Sequence, residues 1–333
     1  MFAHVPVAFA IGISLLFLAA PAAADNNEVT PDQVVTALEE TFGVTPGQRR
    51  NHIKGTCATG EFVGTADAAK LSRSALFSGK AIRVVARFSL PGGNPKVPDS
   101  IKNVRGMALE FRISENDVQH MTMLNVPIFG AAQPKTFFDL IVALKPDPQT
   151  KKPDPERVKA FKASHPDNRG LSEYLAAHNP PPSYANAAFY GIHTFKFVDG
   201  DKNVTPVRWR FDPQAGEKML SAEELKSSPP DFLEQRLIEA TQNGPVRWDM
   251  IVTIGQPGDP QDDPTQYWPK DRQEIKAGTL TISSASPQNG AACEKINFDP
   301  MVMADGIEPT NDPILQFRSP AYAVSYSKRL NGE

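Results

Sequence analysis

From Ala81 to Ser89 apolar and polar positions alternate, with Ile82, Val84, Ala86 and Phe88 on one face and Arg83, Val85, Arg87 and Ser89 on the other. A period of two is the signature of a strand. Met107, Leu109, Phe111 and Ile113 repeat it, a further strand is predicted just before Asn125, and the alternation returns over residues 192–198, 204–211, 248–254 and 278–284. The run from Arg49 to Val63 is punctuated by glycine and predicts a strand only at its end. Helical spacing occupies the rest. Thr30-Pro-Asp-Gln33 is a capping box with proline at the first helical position, followed by Val35, Leu38 and Phe42 on one side and a stop at Gly43. Residues 145–182, rich in proline, lysine and acids, read as an excursion over the surface with short helices at Pro155–Ala163 and Leu171–His178, and a helix pair is predicted over residues 221–243. Seven or eight antiparallel strands with helical insertions predict an α+β domain built on a closed barrel.

The last predicted helix opens with Asp312 as cap and Pro313 at the first position. At about 100° per residue, Arg318, Tyr322 and Arg329 fall within roughly 40° of one another. A guanidinium cannot shed its charge and needs an anion or an acceptor wherever it is buried. Two readings follow. The stripe is a solvated amphipathic face with one tyrosine, or Tyr322 is an anionic metal ligand whose pKa is drawn down by Arg318 and the metal, with Arg329 kept for a second anion.

Length and charge narrow the partner. The chain has 333 residues, with 35 Lys and Arg against 38 Asp and Glu, a net charge of −3 that points to a small molecule rather than nucleic acid. Val5 to Ala20 carries no charge, and Pro21-Ala-Ala-Ala24 resembles a signal-peptide cleavage site, although no Lys or Arg precedes it. The expectation is cleavage after Ala24, a mature domain over residues 25–333 that is periplasmic or secreted, and no stable membrane anchor. In an oxidising compartment Cys57 and Cys293 are candidates for a disulfide worth about 5 kcal/mol or less in the loop-entropy account, the alternative being two separate buried thiols. No Cys-x-x-Cys-His occurs, which excludes a c-type haem attachment, and no Cys/His cluster suggests zinc.

His52 alone would be read as a satisfied core residue beside a strand. Its neighbours change that. Arg49-x-x-His52-x-Lys-Gly, Val85-x-Arg87-Phe-Ser89, Arg105-Gly-Met-Ala-Leu-Glu-Phe, Asn125-x-Pro-Ile-Phe129, Gly191-Ile-His193-Thr-Phe, Asp263-Pro-x-x-x-Trp268-Pro and the segment from Gly306 through Arg318-x-x-x-Tyr322 occur in the order of the catalase superfamily, and the chain resembles that superfamily from about Phe42 to Arg329. The resemblance implies a catalase-like antiparallel barrel with a C-terminal helix carrying the haem ligand, and one haem b per chain. It implies Tyr322 as the iron ligand, since tyrosine is the ligand catalases use. It further implies His52, Asn125 and Ser89 as the catalytic set, Arg49, Arg87 and Arg329 as partners of the haem propionates, and Phe129 and Arg318 at the cofactor. Two departures stand out: Asn51 where the family carries an apolar residue, and Pro320 inside the tyrosine helix, where a kink is expected.

In length the chain is similar to the short, exported catalase-related peroxidases, without the arm before the histidine or the helical domain after the tyrosine helix. The expectation is a more open pocket, a monomer or dimer rather than the tetramer, and peroxide-driven oxidation of a small organic donor with weak or no catalase activity. Disproportionation of hydrogen peroxide, hydroperoxide isomerisation and non-catalytic haem carriage are the alternatives.

Overall fold

The computed structural model describes Met1 and residues 28–333 of the chain, so the expected signal peptide and its cleavage site lie outside the described residues. Helix α1 (Pro31–Phe42) begins where its capping box predicts, Thr30 accepting from the Gln33 backbone while the Gln33 side chain reaches back. Strand β1 (Gly55–Gly64) follows, then the one-turn α2 (Ala66–Ala69), β2 (Ala81–Ser89), β3 (Gly106–Arg112), β4 (Val118–Leu124) and α3 (Pro134–Ala143). The surface excursion carries α4 (Pro155–Ser164) and α5 (Arg169–Ala177), and buries a single side chain of those two helices, Phe161. Next come β5 (Phe189–Tyr190), β6 (Phe195–Val198), β7 (Val204–Pro213), α6 (Ala222–Ser227), α7 (Phe232–Gln242), β8 (Val246–Ile254), β9 (Glu274–Pro287), β10 (Ile307–Pro309) and α8 (Pro313–Leu330).

Antiparallel pairing runs β5-β4-β3-β2-β1-β9-β8, and β7 joins β8 to β5, which closes an eight-stranded barrel; β6 and β10 extend from β7. Phe62, Phe88, Phe111, Phe189, Phe211 and Trp248 fill the interior, with Phe62 edge-on to Phe111 at 5.3 Å and Phe88 stacked on Trp248 at 5.7 Å. Each such ring contributes about 1.5–3 kcal/mol by burial. A barrel packed this way has no room for a cofactor, so a site must lie outside its wall. On that side α1, α3 and α8 form a second layer through Val34, Leu38, Ile141 and Phe317, stitched by Glu39, which binds Arg50 at 2.5 Å and Lys328 at 2.7 Å.

Three elements differ from the sequence reading. Strand β1 begins at Gly55 rather than late in the run, because it pairs with β2 from Gly55↔Ser89 onward. The strand expected over 192–198 forms only from Phe195 as β6, and the irregular residues between β5 and β6 set His193 free of the ladder. Helix α3 is absent from the sequence reading: Gln133 supplies no cap, and its one start signal is Pro134 in the first turn. Helix α8 runs unbroken through Pro320. The two cysteines are joined, Cα to Cα 5.6 Å, across 236 residues.

Candidate active site

One end of the barrel gathers His52, Ser89 and Asn125, the expected catalytic set. Register places Gly55 opposite Ser89 and Ser89 opposite Gly106, while Gly106 faces Leu124, the residue before Asn125. His52 precedes β1 and Asn125 follows β4, so four strand termini converge although their sequence positions span 73 residues. Ser89 is on the outward face of β2, yet buried. The inward face holds Phe88, so the alternation itself delivers Arg87 and Ser89 to the outer wall.

His52 adopts φ 56°, a left-handed conformation that costs of order 1–3 kcal/mol for such a residue. Asn51 holds it there. Its Oδ1 accepts from the backbone N–H of His52 at 2.9 Å and of Gly92 at 2.6 Å, so the residue that departs from the family pattern pins the histidine turn. His52 Nδ1 lies 3.0 Å from Ser89 Oγ. A Cβ on Gly106 would stand 2.8 Å from that oxygen and 3.2 Å from the imidazole, so only glycine leaves this pair its space. Burial first, then the charges of Arg87, Arg318 and Arg49, push the His52 pKa down to about 3. The imidazole is therefore neutral at neutral pH and able to take a proton. Asn125 Oδ1 accepts from the Arg105 backbone N–H at 2.5 Å, and the Asn125 N–H donates to the Arg105 carbonyl at 2.9 Å. With its oxygen fixed, the side-chain NH2 has no acceptor among the described residues and is free to donate into the pocket. The Phe129 N–H donates to Pro264 O at 2.8 Å and its ring lies 5.7 Å from Phe137, which ties this wall to the Asp263–Trp268 segment.

Helix α8 forms the opposite wall and an ionic chain runs along it. Tyr322 is half-buried, and its hydroxyl oxygen accepts from Arg318 Nη2 at 2.9 Å. The same guanidinium reaches Thr122 Oγ1 at 2.6 Å and His193 Nε2 at 3.0 Å. His193 Nδ1 is 2.6 Å from Asp312 Oδ2, and Asp312 Oδ1 caps the helix by accepting from Ile314 and Leu315 N–H at 2.8 and 3.2 Å. Burial lowers the His193 pKa against the pull of Asp312, so a neutral ring donates from Nδ1 to the carboxylate and accepts at Nε2 from Arg318. Sequence reasoning gave Asp312 only its capping role and His193 no role. A histidine in the broken strand and an acid at the helix start, 119 residues apart, carry no local signal of each other.

Arg49, Arg87 and Arg329 stand on the third side. Arg49 donates to the carbonyls of Glu294 at 3.0 Å, Cys293 at 3.2 Å and Ile296 at 2.5 Å. Arg87, 3% exposed, donates to the His52 carbonyl at 2.7 Å and to Gln288 Oε1 at 2.7 and 3.1 Å; Gly55 gives it room, since a Cβ there would meet its Nη2 at 2.4 Å. Arg329 donates to the Glu294 carbonyl. Burial, then the charges of Arg87 and Arg329, push Arg49 down to about 8, and burial pushes Arg87 down to about 10. No carboxylate among the described residues pairs with any of the three. Their partners are dipoles, and an arginine keeps its proton, so this cluster suits a dianion.

A neutral histidine and an amide donor on one wall, an arginine-held phenol on the other, and an unneutralised arginine cluster beside both fit a flat metal macrocycle bearing two carboxylates. Comparison with known proteins agrees with that fit. The catalase family model matches residues 45–333. The chain is 59% identical over 304 residues to a catalase-related peroxidase of Synechococcus elongatus, covering 91% of this chain and 90% of that protein. It is 35% identical to a catalase-related peroxidase of Mycolicibacterium paratuberculosis, covering 90% and 95%. Among solved structures, catalase A from Saccharomyces cerevisiae superposes with a TM-score of 0.79 at 27% identity, over 86% of this chain and 62% of that one, and a fungal catalase with 0.79 at 26%, over 86% and 60%. The chain thus spans about three fifths of the length of these solved catalases, but nine tenths or more of the two peroxidases. By sequence and by fold, the chain belongs to the catalase family.

Proposed function

We propose that this chain is a haem peroxidase that uses hydrogen peroxide or an organic hydroperoxide to oxidise a small organic donor. The observation that carries the reading is a neutral, serine-held His52 close enough to the Arg318–Tyr322 pair on α8 to feel the Arg318 charge. Supporting it, the two relatives matched along nearly their whole length are both named catalase-related peroxidases. The cofactor is taken as one haem b, with Tyr322 as ligand to iron and Arg49, Arg87 and Arg329 as partners of its propionates. When bound, the iron porphyrin supplies the capacity to accept two electrons' worth of oxidation from peroxide and return it to a donor.

The chain's own residues manage protons and charge. His52, its Nδ1–H directed at Ser89 Oγ, offers Nε2 to take a proton from one peroxide oxygen and return it to the other, which would leave as water or an alcohol. Asn125 donates its NH2 to the peroxide and steadies charge as the bond breaks. Arg318 donates to the Tyr322 hydroxyl oxygen, the atom that would ligate the iron, and the neutral His193 links that guanidinium to Asp312 without adding a second cation. Two electrons and two protons from the donor complete the turnover. Export is proposed as well, supported by the apolar run before Ala24 and the joined cysteines, and N-terminal sequencing of the mature protein reads it directly.

The test is to load the protein with haem, supply peroxide with and without a phenolic dye, and record dye oxidation and oxygen release together. Dye oxidation with little oxygen is expected. Vigorous oxygen release with no dye oxidised would make disproportionation the reaction.

A further inference from the structure

The segment after β9, residues 288–296, has no regular secondary structure, yet it touches all three arginines of the cluster. Gln288 accepts from Arg87 and, through Nε2, donates to the Ile53 carbonyl at 2.8 Å. The carbonyls of Cys293, Glu294 and Ile296 take Arg49, and that of Glu294 also takes Arg329. Backbone carbonyls in an irregular segment are poor anchors, because nothing in a ladder holds them. Here one bond does. Cys293 is joined to Cys57 on β1, both sulfurs buried against Val85 and Phe298, and the Cys293 carbonyl is itself one of the acceptors. Cys57 lies two residues from Gly55, which makes room for Arg87, so the bond links the segment to the strand at the arginine cluster.

We propose that Cys57 and Cys293 are positioning residues for the cofactor: their disulfide holds the 288–296 segment at the spacing where its carbonyls and Gln288 aim Arg49, Arg87 and Arg329 at the two carboxylates of the macrocycle. The proposal rests on the haem reading above. Because both sulfurs are buried, the bond acts as a fixed brace rather than a switch. Opening it lets the carbonyls move apart and each guanidinium follow its own acceptor, and the grip on the anionic edge weakens while the barrel core is untouched.

The test compares wild type with a variant carrying Cys57→Ala and Cys293→Ala, each loaded with haem b or with haem dimethyl ester, whose carboxylates are blocked. Transfer to excess apomyoglobin gives the release rate, and thermal melting shows whether the barrel remains cooperative. Haem b should leave the variant about tenfold faster or more, a loss of about 1.4 kcal/mol of retention. The ester should leave both proteins at similar rates, because it makes no carboxylate contacts to lose. Equal haem b release from both proteins overturns the proposal, and so does an equal acceleration for both haems, which would mean general loosening. If that variant does not fold, Cys57→Ser with Cys293→Ser, closer to the natural side chains in size, supplies the open form for the same two rates. A wild type that holds no haem overturns the cofactor reading and this proposal with it, whereas equal release from a haem-loaded pair overturns this proposal alone.

Discussion

The two walls of the pocket solve opposite problems with different parts of the fold. The distal wall is assembled from four strand ends and a strained turn, and it presents neutral groups: an imidazole kept from protonation by burial and nearby cations, a hydroxyl, an amide. The proximal wall lies on a single helix and presents charge, a phenol bonded to Arg318, which is tied through neutral His193 to a buried carboxylate. Strand ends can place small neutral groups within hydrogen-bond reach because register fixes them to a fraction of a residue. A buried charge needs a partner, and the capping position of a helix supplies one without a further element. The proposed base and the proposed ligand are thereby placed on separate elements.

Substitutions on each wall should therefore fail differently. Tyr322→Phe removes the proposed iron ligand, and haem release to apomyoglobin should accelerate by about 10²-fold or more, while the distal hydrogen bonds persist. Retained haem with an unaltered visible spectrum would remove Tyr322 from the role. His52→Ala should leave haem retention intact and slow the reaction with peroxide by on the order of 10²-fold, read by stopped-flow absorbance with an alkyl hydroperoxide. A next smaller effect is expected from His193→Phe, which separates Asp312 from Arg318: retention weakens by about 10-fold and the visible spectrum shifts, with the peroxide proton step changed less. Asn51→Ala removes the acceptor that holds His52 at φ 56°, and should slow the peroxide reaction about tenfold with no change in haem release. The smallest response is to pH. A histidine whose folded pKa is lowered to about 3 keeps its base form at every pH above that, so the peroxide rate should show no acid limb from His52 between about pH 5 and 8.

Much of this site is legible in the chain because its residues come as short strings with local logic. Ser89 and Arg87 declare their shared face by alternation, and Arg318, Tyr322 and Arg329 declare theirs by helical spacing. What remained hidden depends on closure. That Asn125 presents its NH2 follows from a backbone bond to Arg105, 20 residues earlier, and that Gly106 matters follows from two side chains it never contacts in sequence. Asp312 and His193 meet only because β5 and β6 are interrupted between Tyr190 and Phe195. Asn51 looked like a defect in the pattern, yet it holds the histidine turn through two backbone amides. Helix α3 has no capping side chain at Gln133, and its start rests on Pro134 alone, a signal that turns share.

The most direct measurement is resonance Raman spectroscopy of haem-loaded protein, excited in the charge-transfer bands, with natural and ring-deuterated tyrosine incorporated. The account predicts enhanced phenolate modes that move on deuteration and vanish in Tyr322→Phe while remaining in His52→Ala. Phenolate modes absent from the wild type, or retained in Tyr322→Phe, would contradict it.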